Sequence, residues 1–389
     1  MKVSILCSNL SSNCLGRSYI LAKLLKKNGF AVEIVGPLWG KEIWKPLAND
    51  PEINYKYVKF FKPIGSNFLN WVRLYRKISG DTIYVNKPLF NSLFLGVIRK
   101  IFNKKRLILD IDDWEMGFFV YHFQEKKFFE KVSFFLSSII MPFRPDNFLN
   151  IFLGNCLIKF SDKITVANSF LEKKYSGKII VHARDINKFD PSKFDKKSLK
   201  KNYDFTTNSK IVTFFGTPSE YKGIEDLIES FKFLNKKNVI LLLVGVINKG
   251  YSLKIKNLIE KKINKKNFRV WGQRPFYKVP EILTLSDIVV IPQRNTLATK
   301  GQLPVKIFDA MAMAKPIIAT RVSDLPKILS GGCGFLIDPG NAKELAEKIN
   351  YVLANTKEAL RKGERARAKC IKEYSLDSVG KKLVAAVNA

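Results

Sequence analysis

The chain has 389 residues, 46% of them hydrophobic, a globular composition long enough for two domains that each bury a core. Its 67 Lys+Arg against 34 Asp+Glu give a formal net charge of +33. The excess is even, with 34 basic and 17 acidic side chains in residues 1–200 and 33 and 17 in the rest, so no charged tail causes it. Three uses of such a surface stay open: an anionic membrane, nucleic-acid phosphates, or lysines that only solvate the exterior. Five scattered cysteines without a Cys-x-x-Cys pair, and only two histidines, argue against a disulfide framework or a structural zinc and for a reducing cytoplasm. The opening MKVSILCSNL reads as a buried strand, too short in apolar run for a signal-peptide core.

In chain order, VSILCSN is a strand, Leu10–Leu15 a loop, and Gly16 opens a helix through about Asn28 that Gly29 stops; AVEIVGP is the next strand. Strand, helix, strand implies parallel pairing. A lone glycine at a helix start is a weak signal, and without Gly-x-Gly-x-x-Gly a dinucleotide cofactor is unsupported. The acidic run DIDDWE, Asp110 to Glu115, ends the apolar strand Leu107–Ile111. Four carboxylates in six residues are costly to crowd and point to a metal, a polar ligand or raised pKa values. Asp-x-Asp as a manganese–nucleotide site, an aspartyl-phosphate site, and a helix-capping turn before Trp114 are alternatives here. Val132–Phe160 is apolar but broken by Pro142 and Pro145, so it falls short of the ~20 residues of a membrane span. It is either core or an aromatic surface entering a leaflet beside Lys131, Arg144 and Lys159.

His182 in VHARD reads as structural. Asn187–Ser209 is polar and lysine-rich, the composition of a linker. The second half then repeats the plan: strand KIVTFFG, loop TPSEYKG, an amphipathic helix, and the continuous apolar strand NVILLLVG of a sheet buried on both faces. FRVWG and DIVVIP are further strands. In GQLPVKIFDAMAMAKPIIATRVSDLPKIL, Gly301 to Leu329, a helix is expected from Pro304 and a buried strand at Pro316–Ala319. The loop aims free N–H groups and a positive dipole end forward, a place for phosphate, and Lys306 in the first turn opposes the dipole unless an anion is bound. Asp309 follows one turn on. Lys222, just before Gly223 and a helix, is a second candidate phosphate contact.

These segments together resemble the retaining family 4 glycosyltransferases. That family places two acidic residues eight apart before Ala-Met-Ala and a Pro-Val-Ile-Ala strand. Asp309, with Ala310-Met311-Ala312 behind it, stands at the second acidic position, and Gly301 replaces the first. In the family's Gly-Arg-x-x-x-x-Lys-Gly arrangement, Gly216 and Lys222 match and Thr217 replaces the arginine, so Lys306 is the candidate to supply the missing charge. The resemblance implies a GT-B fold of two Rossmann-like doubly wound α/β domains facing across a cleft. Residues 1–190 would hold the acceptor, 191–209 would link, 210–374 would hold a nucleotide-diphospho-sugar, and a helix at about 375–389 would pack back on the first domain. It implies retaining transfer without bound metal or cofactor, to a glycan or lipid-linked acceptor; cysteine usage and the basic surface add the expectation of a cytoplasmic enzyme peripheral to the inner face of the plasma membrane. Asp112, with Asp113 beside it, aligns with the histidine that faces the donor sugar in this family. Gly16 corresponds to its glycine-bearing first loop and Asp309 to the ribose ligand, while the N–H groups of Gln302, Leu303 and Val305 would hold the sugar or phosphate in place of the carboxylate missing at Gly301. The competing reading is a non-catalytic anion- or nucleic-acid-binding protein on a decayed GT-B scaffold. No nucleic-acid-binding module or strip of interleaved aromatic and basic residues supports the nucleic-acid form.

Overall fold

The computed structural model describes residues 1–60, 68–140, 147–235 and 238–388. They form two compact units: Met1–His182 with Lys300–Leu303 and Leu376–Ala389, and Ala183–Thr299 with Pro304–Ser375.

The first unit is built on β1 (Lys2–Leu6), β2 (Ala31–Leu38), β3 (Asn54–Lys59), β4 (Thr82–Asn86), β5 (Arg106–Ile111), β6 (Lys163–Val166) and β7 (Lys178–Ile179). All pair in parallel, in the order β3-β2-β1-β4-β5-β6-β7. The central strands are apolar runs because helices cover both faces: Val3, Ile5, Ile83, Val85, Leu107 and Leu109 have no exposed surface. Strand order reverses between β1 and β4, and loops leaving such a switch point form the ligand-binding end of a doubly wound sheet. Leu376–Asn388 packs on the helix Leu15–Lys27, where Asp377 pairs with Lys27 at 2.8 Å and Gly380 lies against Asn28 and Leu24. Arg106 also bonds the carbonyl of Val387.

The second unit carries β8 (Lys210–Phe215), β9 (Val239–Val244), β10 (Phe268–Trp271), β11 (Ile288–Ile291), β12 (Ile317–Thr320) and β13 (Phe335–Ile337). These are parallel in the order β10-β9-β8-β11-β12-β13, with the switch between β8 and β11. All six side chains of β9 are buried, each contributing roughly 1.5–3 kcal/mol. Both sheets are thus Rossmann-like, as the fold expectation required.

Two boundaries differ from expectation. The break between units falls at His182/Ala183, and the stretch expected to link is folded into the second unit. Asp190 caps the turn Pro191–Lys193, and Asp195 accepts from the N–H groups of Lys197 and Ser198 to cap the helix Lys196–Asn202. Lys200 Nζ ties that helix to the carbonyls of Thr207 and Ser209, each at 2.7 Å. Polar composition here is capping chemistry, which a linker composition imitates. The helix expected from Pro304 spans Lys306–Ala312, with Val305 as its N-cap and Ile307 N–H bonded to the Pro304 carbonyl at 3.1 Å. Pro142, Arg144 and Pro145 lie outside the described residues.

Candidate active site

In the first unit, β4 and β5 run side by side with Asn86 opposite Asp110, so the residues following each strand meet. Asp110 is fully buried and structural: Arg17 Nε and Nη2 grip its two oxygens at 2.8 Å each, and Thr165 donates at 2.7 Å. The next three carboxylates gather on one cation. Lys87 Nζ lies 2.8 Å from Asp113 Oδ2 and 3.5 Å from Asp112 Oδ1, and it also binds Glu115. Asn86 Nδ2 reaches Asp112 Oδ1 at 3.4 Å. Lys87 holds φ at 72°, a left-handed conformation costing a side-chain-bearing residue ~1–2 kcal/mol, which puts backbone strain directly beneath the cluster. Burial alone would depress the Lys87 ammonium, but the carboxylates of Asp112, Asp113 and Glu115 outweigh it and hold it well above its ordinary value. Burial raises Asp113 and Glu115 above the usual carboxylate range, with Lys87 opposing.

Lys300–Leu303 groups with this unit, and Gly301 and Gln302 approach the residues of the acidic run. Gln302 donates to Asp113, and Leu303 is buried. A Cβ on Gly301 would collide with the Cβ of Trp114 and sit 3.1 Å from its backbone nitrogen. Trp114 is fixed by Phe170, ring centroids 5.2 Å apart, and by Lys174 over its ring. The carboxylate missing at 301 is therefore a matter of space: Trp114 occupies it. Gly16 stands in the first turn of Leu15–Lys27 with open space where a side chain would go. His182 is buried.

In the second unit, the chain leaves β8 through Gly216, whose φ of 112° is open to glycine and whose backbone packs against Gly245. Thr217 follows, and its carbonyl accepts from Lys222 Nζ at 2.6 Å. Lys222, expected on an exposed loop, is half-buried and ends the turn Glu220–Lys222. Gly223 then passes under the Pro292 carbonyl, where a Cβ would collide. Lys306 reaches the same turn: its Nζ lies 3.6 Å from the Phe214 ring centroid and 3.3 Å from where a Gly216 Cβ would stand. Among the described residues no carboxylate lies within ion-pair distance of it. Burial, then the nearby Lys222, push the Lys306 ammonium well below its ordinary value, with Asp309 opposing more weakly. Two ammonium groups thus converge on the turn at the sheet's switch point. An anion there would relieve both the burial of one charge and the repulsion between the two.

Asp309 differs from expectation. It is 4% exposed, and one carboxylate oxygen is taken by Arg184 Nε. Arg184 spends its other nitrogens on the carbonyls of Ala183, at 2.7 Å, and Val305, at 3.3 Å. A sequence reading that offers Asp309 whole to a ribose misses this partner 125 residues away. Arg17 and Lys87 were missed likewise. Their only sequence signals are a basic residue directly after Gly16 and a lysine directly after the apolar TIYVN.

The family model "Glycosyl transferases group 1" matches residues 195–369. N-acetyl-alpha-D-glucosaminyl L-malate synthase of Bacillus anthracis is 26% identical over 192 residues, 48% of this chain and 47% of that protein. The capsular polysaccharide biosynthesis glycosyltransferase CapM of Staphylococcus aureus is 27% identical over 215 residues, 51% and 52% of the two chains. The chain thus spans about half the length of the curated relatives it matches. Among solved structures, Anabaena HepE in complex with UDP-glucose superposes with a TM-score of 0.77 at 19% identity, over 100% of this chain and 99% of that one. A Rickettsia africae glycosyltransferase gives 0.72 at 18% identity, over 99% and 97%. These likenesses carry the fold, and it is GT-B. The likeness to the glycosyl transferases of group 1 rests on residues 195–369.

Proposed function

We propose that the chain transfers a sugar from a nucleotide-diphospho-sugar to a glycan or lipid-linked acceptor, with retention, in the assembly of cell-surface polysaccharide or glycolipid. The observation that carries this is the pair Lys222 and Lys306 at the turn after β8. Support comes from the family match and from HepE, whose solved complexes hold UDP and UDP-glucose. In this reading the second unit holds the donor. Breaking the anomeric carbon–oxygen bond leaves negative charge on the diphosphate, and Lys222 together with Lys306, protonated once the diphosphate is bound, stabilises it more in the transition state than before. They are the charges this chain supplies for that task, with no bound metal invoked. Lys222, tied to the Thr217 carbonyl, is held in place; Lys306 stands in for the arginine that Thr217 replaces. Asp309, oriented by Arg184, is the ribose ligand. The first unit contributes Asp112 and Asp113 as hydroxyl-binding carboxylates. A lipid-linked acceptor would bring a cytoplasmic enzyme to the inner face of a membrane.

The test uses proton linkage. Lys306 is depressed in the free protein and would rise once a diphosphate neutralises it, so binding takes up a proton. Titration calorimetry with UDP, GDP and ADP in buffers of different ionisation enthalpy, repeated across pH, should show net proton uptake for the nucleotide that binds. Affinity should tighten as pH falls toward the free-state value. Lys306→Met should abolish the uptake and weaken binding about tenfold or more. Binding without buffer dependence, unchanged in the variant, would remove Lys306 from the site.

A further inference from the structure

We infer that the helix Phe128–Ile140 and the helix Phe148–Leu157 beside it form the face by which this protein docks on an anionic lipid bilayer. This goes beyond the proposed transfer, which names an acceptor but no docking surface. It does not depend on that proposal, because the face contains none of the residues assigned to donor or acceptor.

The sequence leaves this apolar stretch as either core or surface; the structure turns its side chains outward. Phe128 and Phe129 are 73% and 84% exposed, and Val132, Phe135 and Leu136 are exposed as well. Positions 128, 132, 135 and 136 recur at helical spacing, so they form one stripe along one side of the helix. Phe152, on the helix packed beside it, is exposed too. Single exposed apolar residues are ordinary, but a stripe of aromatic side chains on adjoining helices marks an interaction site. The side chain of Ile139 lies outside the described residues.

Charge identifies the occupant. Lys126 and Lys127 precede the stripe and Lys131 lies within the helix, against Glu125 and Glu130, so the segment stays net cationic. Lys126 Nζ sits 5.0 Å from the Phe134 ring centroid, and Lys131 Nζ sits 5.6 Å from that of Phe123. Cations thus stand on half-buried rings next to the exposed stripe, and helices that lie in a bilayer interface likewise set lysines at the headgroups beside rings in the acyl boundary. A second copy fits worse. A two-fold contact would bring each lysine group toward its own image, in a protein already at +33. Among the described residues no helix is long and apolar enough to cross a membrane, so the attachment is to one leaflet.

The test is co-sedimentation of the full chain, without nucleotide or sugar, with vesicles of phosphatidylcholine alone or mixed equally with phosphatidylglycerol. Failure here and failure of donor binding are therefore separate results. The protein should bind the anionic vesicles, bind the neutral ones at least tenfold more weakly, and dissociate as salt shortens the Debye length from ~10 Å at 0.1 M to ~3 Å at 1 M. Phe128→Ser with Phe129→Ser should weaken binding more than tenfold with an unchanged melting temperature, because those rings touch mostly solvent. Lys126→Gln with Lys127→Gln should weaken it roughly 30-fold, at about fivefold per cation. The inference is overturned by absence of binding to anionic vesicles, or by full binding in the phenylalanine variant. It is equally overturned by a sharp fall in that variant's melting temperature, which would make the rings core, or by a vesicle-free dimer that the variant abolishes.

Discussion

Lys87→Met tests the electrostatic account of the acidic cluster most directly. The substitution keeps most of the apolar stem and removes the ammonium with its charge and its hydrogen bonds to Asp113 and Glu115. At the observed 2.8 and 3.5 Å from Asp113 and Asp112, an effective dielectric near 20 gives gross attractions of about 6 and about 5 kcal/mol. Much of that is offset by the desolvation of Lys87 itself, and removing one member of a buried ionic group costs a net ~3–5 kcal/mol. For a unit of this size the melting temperature falls by ~2–4 °C per kcal/mol, so a drop of roughly 10 °C is expected near pH 8. The pH dependence carries the sign. Without Lys87, Asp113 and Glu115 hold their protons more tightly folded than unfolded, so the folded state binds more protons. Stability of the variant then falls as pH rises from ~4, the unfolded carboxylate value, through the raised folded values. The deficit against wild type should therefore be smaller at pH 5 than at pH 8, and Lys87→Arg should recover most of it. Melting curves of the three proteins at both pH values decide. A deficit equal at the two values, or below ~1 kcal/mol, would refute the claim that Lys87 neutralises the cluster. Nucleotide affinity measured by calorimetry should stay unchanged, since the second unit carries it in our proposal.

Two smaller predictions address glycine and the Asp309 pair. Gly301→Ala should cost ~1–3 kcal/mol in a denaturant melt because its methyl meets Trp114, whereas Gly16→Ala, facing open space in a helix, should be neutral or stabilise by up to ~1 kcal/mol. Equal effects at the two sites would show that Trp114 does not close position 301. Arg184→Met should destabilise by ~3–5 kcal/mol, because it strands a buried carboxylate, and adding Asp309→Leu should recover part of that loss. Strict additivity of the two changes would argue against their pairing.

Much of the architecture is legible in the chain. VILLLV and IVVI are short, β-branched apolar runs bounded by turn residues, the pattern of strands in a sheet covered on both faces, and they are β9 and β11. What is not legible is which strand lies beside which. DIDDWE looks like a crowded anionic site in need of a metal or a ligand because its two cations enter from Arg17 and Lys87. Only the neighbourhood of β1, β4 and β5 brings them in. The same limit hides Arg184 from Asp309. Composition misleads at 191–209, where capping aspartates and a lysine bonded to carbonyls read as a solvated linker. The apolar stretch after residue 127 is ambiguous for another reason: a helix stripe has the same spacing whether it faces core or solvent, and only exposure separates the two.

The departures at Thr217 and Gly301 bear on whether the scaffold is a decayed one. Loss of function under relaxed constraint would leave space or an unmatched charge where a contact used to be. Position 301 shows no such space, since Trp114 fills it and is itself held by Phe170 and Lys174. At the turn after β8, the arginine's absence coincides with an ammonium from Lys306 placed against Phe214 and beside Lys222. That arrangement is costly without an anion: burial opposes the Lys306 charge, Lys222 repels it, and Asp309 opposes these only weakly. A structural lysine at this position would be more stable as methionine, and Lys306→Met should then raise the melting temperature of the free protein while weakening nucleotide binding. Opposite effects on stability and binding are the mark of a residue kept for its ligand. A variant both less stable and equally able to bind would return Lys306 to the fold, and with it the decayed-scaffold reading.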